Sequence, residues 1–270
     1  MRRTLVLLAA LSWPMLLSIS LGACKSGGTA EDPLLQLSAE ESLAQGKELL
    51  AIEKYARARP YFTHAFEVEP NSAIGREGLL LAADTFYQEG GPGNYIQAEA
   101  KYRDFLNRFP TSSQAAYVQF QIANSLAQRM EKPDRDQTVT RKAMEAYQEL
   151  LRLYPTSEYA TRAAEQIKVV RANLAEHEFV VGRFYQRYGI PGAASKRFTY
   201  LLEQFPDYNQ KDKVIYHLGV SLNDAGQPDE ARKAFDRLRA EYPESPFLKE
   251  IPEIREAPAT PTESDKKAGL

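Results

Sequence analysis

The sequence predicts an all-α protein, a superhelical α-solenoid of about five helix hairpins. Three observations predict it. The stretch from Glu158 to Tyr188 has no proline and reads as one long helix, rich in Ala, Glu, Gln and Arg, which lose least on becoming helical. On it Ala164, Ile167, Val170, Leu174, His177 and Val181 recur at steps of three and four, the spacing of a buried stripe. Lastly, one punctuation mark recurs: Glu69-Pro70-Asn71-Ser72, Phe109-Pro110-Thr111-Ser112, Tyr154-Pro155-Thr156-Ser157, Phe205-Pro206-Asp207 and Tyr242-Pro243-Glu244-Ser245. These prolines stand 40, 45, 51 and 37 residues apart, in the range of helical-hairpin repeats.

Residues 1–23 read as a signal segment: Arg2 and Arg3, an apolar run from Leu5 to Leu21, then small residues. Leu21-Gly22-Ala23-Cys24 matches the bacterial lipobox, in which cleavage exposes a cysteine that carries a diacylglycerol and an N-acyl lipid. The one cysteine of the chain falls at that position. Several acyl chains on one residue make a durable anchor, where one chain is marginal. An uncleaved N-terminal anchor is the alternative, because the apolar run is almost long enough to span a bilayer. Lys25, in place of the aspartate associated with inner-membrane retention, favours the outer membrane. Residues 24–37 read as a flexible tether.

Composition narrows the rest. A formal charge of −2 with no basic block argues against nucleic acid. A single cysteine excludes an intrachain disulfide framework and a cysteine-cluster metal site. His64, His177 and His217 lie far apart, each in a helical pattern, and read as solvated or core-edge residues; no metal is expected.

From Ser38 onward the pattern is helical, and each proline ends a helix because it lacks an amide proton and restricts the residue before it. The Ser, Thr or Asp beyond it is placed to cap the next helix. The tetratricopeptide pattern then fits at constant offsets. Gly219, Leu222, Gly226, Ala231, Phe235, Leu238 and Pro243 make the fifth repeat, and Gly182, Tyr185, Gly189, Ala194, Phe198, Leu201 and Pro206 the fourth. Gly46, Leu49, Tyr55, Ala58, Phe62, Ala65 and Pro70 make the first. Small residues sit where helices approach closely, and aromatics fill the space between hairpins. The second repeat carries Ala98, Tyr102, Phe105 and Pro110, with Gly90-Gly91-Pro92-Gly93 read as a swollen turn. The third carries Ile122, Leu126, Ala143, Tyr147, Leu150 and Pro155, split by a charged insertion from Gln128 to Thr138 that is expected to be exposed. Pro60 is expected to kink the second helix of repeat one. Residues 251–270 are expected to be a disordered tail.

No serine-hydrolase, zincin, phosphate-loop or dinucleotide motif occurs, and the carboxylates alternate with Lys and Arg as on solvated helix faces. No catalytic residue is assigned. An acid–base carboxylate pair would leave no motif, so a peptidoglycan-active enzyme stays as a distant alternative. Lys196 and Arg197, next to the core aromatic Phe198, are the partner-contact candidates.

A lipobox followed by five tetratricopeptide-like repeats and the long helix resembles the BamD (ComL) family of outer-membrane assembly lipoproteins. The strongest local likeness runs from Tyr154 to Asp207, with Leu174-Ala175-Glu176-His177-Glu178 similar to the family's Leu-Ala-x-x-Glu segment. The resemblance implies a non-catalytic scaffold without cofactors, anchored by Cys24 in the outer membrane and facing the periplasm. It implies that repeats over 38–157 receive unfolded outer-membrane proteins, while 158–250 hold the last periplasmic domain of a BamA-like barrel protein, with other assembly lipoproteins nearby. The family's arginine in the second helix of repeat four falls on Arg197. For the substrate groove, repeat geometry nominates Leu43, Lys47 and Leu50, an apolar wall with a cation suited to a peptide ending in an aromatic residue and a carboxylate. The rival is a tetratricopeptide envelope lipoprotein that coordinates cell-wall synthesis or division.

Overall fold

The computed structural model describes residues 32–255. Its helices fall into five pairs: α1 (Ala39–Ala51) with α2 (Tyr55–Val68), α3 (Ala73–Glu89) with α4 (Pro92–Arg108), α5 (Ala115–Ala127) with α6 (Thr138–Leu153), α7 (Tyr159–Arg187) with α8 (Pro191–Gln204), and α9 (Lys211–Asp224) with α10 (Pro228–Glu241). Every helix packs on the next in sequence, and α1 also touches α3, α5 touches α7 and α7 touches α9. The first helices of the pairs therefore line one face of an α-solenoid. Cys24 and the signal segment lie outside the described residues.

The proline signature works as expected at the helix ends. Glu69, Phe109, Tyr154, Phe205 and Tyr242 each precede a proline and close a second helix at φ between −126° and −136°, outside the helical well. Capping beyond the proline is rarer than expected. Ser72 caps α3 by accepting from Gly75 N at 2.9 Å, but α5, α7 and α9 have no side-chain cap, and Asp207 instead pairs with Arg171 of α7 at 2.6 Å.

Within three pairs one contact repeats. A methyl group built on Gly46, Gly182 or Gly219 would meet Cε1 of Phe62, Phe198 or Phe235 at 2.6, 2.5 and 2.5 Å. Glycine is required there because the aromatic ring of the second helix lies directly on the first helix. The same three pairs share a turn. Gly189 and Gly226 adopt φ of 69° and 72°, and their amide and the following one bond back onto the helix end. Glu53 occupies the equivalent place at φ 57° with the same two bonds, to Leu50 O and Leu49 O at 2.9 Å each. A side chain costs about 1–2 kcal/mol in that region, and glycine returns part of this as unfolded-chain entropy. Glu53→Gly should therefore stabilise the first pair by about 0.5–1 kcal/mol, read as a raised urea midpoint of the N-terminal repeats. A lowered midpoint would refute this.

Several boundaries differ from expectation. Pro60 lies inside α2, where the repeat pattern puts it, exposed, and the helix continues through it to Val68. The Gly90–Gly93 turn is not swollen: Gly90 and Gly91, at φ 74° and 88°, form all of it, and Pro92 opens α4 as its first residue, where a missing N–H costs nothing. Most of the insertion from Gln128 to Thr138 is exposed, as expected, but it is tied down. Gln137 is 1% exposed, and the carbonyls of Pro133 and Glu131 accept from His177 Nδ1 at 2.6 Å and Asn173 Nδ2 at 3.2 Å, strapping the insertion to α7. At the start, residues 33–36 form a 3-10 turn, and His64 Nε2 lies 3.1 Å from Leu37 O, so this part of the expected tether is held on α2. At the end, residues 251–255 are ordered against α9: Asn223 donates to Glu253 O at 3.0 Å and its Oδ1 accepts from Arg255 N at 2.9 Å. The remainder of the expected tail lies outside the described residues.

The long helix spans 29 residues, about 44 Å at 1.5 Å per residue. Its buried face is Ala163, Val170, Leu174, Ala175, Glu178, Phe179 and Gly182. Of the expected stripe, Val170 and Leu174 are buried, whereas Ala164, Ile167, His177 and Val181 are half-buried. The stripe turns because α7 packs on α6 with its first half and on α8 with its second.

Candidate functional site

The face lined by the first helices holds two adjacent clefts. One, of about 330 Å³, lies among α3, α5, α6 and α7 and is walled by Tyr87, Phe120 and Tyr147 with Arg162 at its edge. The Arg162 guanidinium sits 4.8 Å from the Phe120 ring centroid, a cation held against an aromatic face. The other, of about 490 Å³, lies between α3 and α5 and is walled by Leu80, Leu81, Phe105, Tyr117 and Tyr159, with Asp84 in its lining. Tyr159 separates the two, stacked on Phe120 at 5.5 Å and tilted on Tyr117 at 5.7 Å.

A buried polar network runs beneath both. Tyr102 and Tyr117 hydroxyls donate to Asp84 Oδ1 at 2.6 and 2.8 Å, and the Gln121 amide donates to both hydroxyls, at 3.4 and 3.2 Å. Asn124 donates to Gln121 Oε1 at 2.6 Å, and Tyr147 donates to Asn124 Oδ1 at 2.7 Å. Burial raises the Asp84 carboxyl above its ordinary range, partly offset by the two tyrosine hydrogen bonds. Burial, with the Asp84 charge behind it, pushes the Tyr102 hydroxyl far above its ordinary value, so it stays a donor.

The sequence-nominated groove residues are placed differently. Leu43 is 6% exposed and packs with Ala58, Phe62, Ala65 and Ala82, so it belongs to the core and offers no groove wall. Leu50 is half-buried against the same cluster, and Lys47 pairs with Glu77 at 2.6 Å, both ends exposed. The aromatic and cationic chemistry sought at α1 lies instead at Tyr87, Phe120, Tyr147 and Arg162. Of these, Tyr147 reads in the sequence as a repeat-core aromatic, and nothing local marks Tyr87, Phe120 or Arg162. Only the approach of α7 to α5 brings them together.

On α8, Lys196 is exposed and forms no ion pair among the described residues. Arg197 is half-buried and pairs with Glu178 at 3.0 Å, a carboxylate of α7 in a residue only 8% exposed. Tyr200, one turn after Lys196, is 47% exposed. A further apolar cluster ends α7: Phe184 and Tyr188 are 52% and 64% exposed, with rings 4.5 Å apart, beside the exposed Ile190. The three histidines have structural partners. His217 is buried beside Arg183, 2.8 Å from Nδ1, and burial with the Arg183 and Lys213 charges drops it to about 3, so it is neutral. Among the described residues no group of three or more His, Cys, Asp or Glu could hold a metal ion, and no helix is long and apolar enough to cross a membrane.

Five helix pairs with clefts along one face define a tetratricopeptide-type binding scaffold. A tetratricopeptide repeat profile matches residues 213–245, the fifth pair. The profile of the family described as "Outer membrane lipoprotein" matches residues 36–218, and the chain belongs to that family. Similar proteins include the outer membrane protein assembly factor BamD of Rickettsia prowazekii, 26% identical over 87% of this chain and 92% of the relative. The factor of the same name from Neisseria meningitidis serogroup A is 26% identical over 87% and 93%, and that from Haemophilus influenzae 24% over 86% and 93%. Among solved structures, the TPR2AB domain of yeast Sti1 aligns over 76% of this chain and 78% of its own at 17% identity, with a TM-score of 0.42.

Proposed function

We propose that this lipoprotein is a non-catalytic scaffold of outer-membrane β-barrel assembly. It receives unfolded outer-membrane proteins on the cleft face of its N-terminal repeats, a face completed by the start of α7, and holds a BamA-like barrel subunit with its C-terminal ones. Cys24 carries the lipid anchor, and the folded part faces the periplasm. Family membership and the assembly-factor relatives support the role; the cleft walled by Tyr87, Phe120 and Tyr147 with Arg162 carries the assignment of the substrate side. Aromatic walls accept an aromatic side chain, and a guanidinium binds a terminal carboxylate through paired hydrogen bonds. The partner side is the outer face of α8, where Lys196 and Tyr200 are free for contact and Arg197 is already engaged with Glu178.

The test is fluorescence anisotropy with a ten-residue peptide from the C-terminal strand of an outer-membrane barrel, ending in phenylalanine. Binding should weaken at least tenfold when the terminal carboxylate is amidated, and by a similar factor in Arg162→Gln, whose exposed side chain leaves the fold intact. Binding that ignores both changes would remove the substrate from this cleft.

A further inference from the structure

We propose that the cleft floored by Asp84 is a cation subsite, which takes the ammonium or guanidinium group of a lysine or arginine side chain in the bound segment. The proposal rests on the groove reading above and adds a second recognition element to it, of opposite charge to Arg162.

Asp84 is 6% exposed, yet it lines the wall of a cleft of about 490 Å³. Both tyrosine hydroxyls that bind it go to Oδ1; among the described residues none donates to Oδ2 and no cationic side chain pairs with the carboxylate. Oδ2 is not sealed in the core: solvent reaches it from the cleft, so an entering ammonium or guanidinium meets an acceptor that displaces only water. Arg76, the cation in the lining of this cleft, makes no ion pair with Asp84 and donates to Asn71 O at 2.7 Å. The aromatic rings of Tyr117 and Tyr159, 5.7 Å apart, also line the cleft, and aromatic rings attract a cation leaving water. Glu77, also on the rim, adds negative charge at the entrance and is itself bound to Lys47.

A purely structural role makes a different demand. Stapling Tyr102 of α4 to Tyr117 of α5 needs an acceptor at Oδ1, which asparagine supplies equally well. Asp84→Asn therefore separates the two roles while leaving the tyrosine contacts satisfiable.

The probes are ten-residue peptides ending in phenylalanine, with a single lysine walked through the preceding positions, each matched by a norleucine peptide of the same length. At one position the lysine peptide should bind wild-type protein at least tenfold more tightly than its norleucine counterpart. Asp84→Asn should abolish that preference and leave the norleucine peptide within twofold, with an unchanged melting temperature. If the norleucine peptides bind but no position prefers lysine by more than twofold, the cation subsite is wrong and the groove stands. A preference that survives Asp84→Asn also overturns it. If no peptide of either series binds, the groove reading and the subsite fall together.

Discussion

Phe198→Ala should destabilise the C-terminal repeats by about 4 kcal/mol, the larger of the two biggest effects expected in this protein. The ring is fully buried and is shared by three helices. It lies on Gly182 of α7, 5.8 Å from Phe179 and stacked 5.9 Å from His217 of α9. Alanine removes the fill between α7, α8 and α9 at once, and Gly182 has no side chain with which to close the cavity. In a solenoid each pair is held by its own packing and by its neighbours, so the loss should stay local. Amide exchange in α8, α9 and α10 should accelerate by about a thousandfold, the factor matching 4 kcal/mol, while α3 and α4 keep their protection. An acceleration below tenfold in α8–α10, or an equal one throughout the chain, would contradict the shared-ring account.

The second large effect concerns the proposed partner face. Arg197→Glu should cost about 2–3 kcal/mol, because it sets a second carboxylate against the buried Glu178 and removes the guanidinium that neutralises it. Water reaches the Arg197 side chain, which is 43% exposed, and its screening holds the cost to the lower end of that range. Adding Glu178→Gln should restore most of the loss, since two facing carboxylates are then no longer present. Lys196→Glu, on an exposed residue with no ion pair among the described residues, should shift stability by less than about 0.5 kcal/mol. The two substitutions therefore read differently in a pulldown of the lipidated protein from native envelope. Loss of a barrel protein with Lys196→Glu locates the contact on the α8 face. Loss with Arg197→Glu alone reports the broken α7–α8 pair, and recovery of cell-wall or division proteins with no barrel would favour the rival role.

The relation between Arg197 and Glu178 shows where sequence reading stops. Arg197 was legible as a candidate contact from its place in repeat four, but its partner is 19 residues away on another helix. Pairing at that range depends on how α7 and α8 cross. Leu43 shows the same limit in reverse: its helical spacing is that of an inward residue, and only packing decides that inward means core beneath α2 and not the wall of a groove.

What the sequence determined by itself is the repeat. Proline before a polar residue, glycine against phenylalanine, and helix-favouring runs between them act within a turn or between adjacent helices, so their consequences are visible locally. The five pairs, the long α7 and the glycine–aromatic contacts follow from that, and the lipobox motif likewise needs no fold to be read. The tertiary structure decided what the repeats present. Asp84, Tyr117 and Tyr147 lie 33 and 30 residues apart along the chain, yet one hydrogen-bonded network joins them. The Arg162 edge of the neighbouring cleft comes from a fourth stretch again. The clefts form where first helices of successive pairs converge, and that convergence is set by summed packing at every interface, which no local pattern encodes.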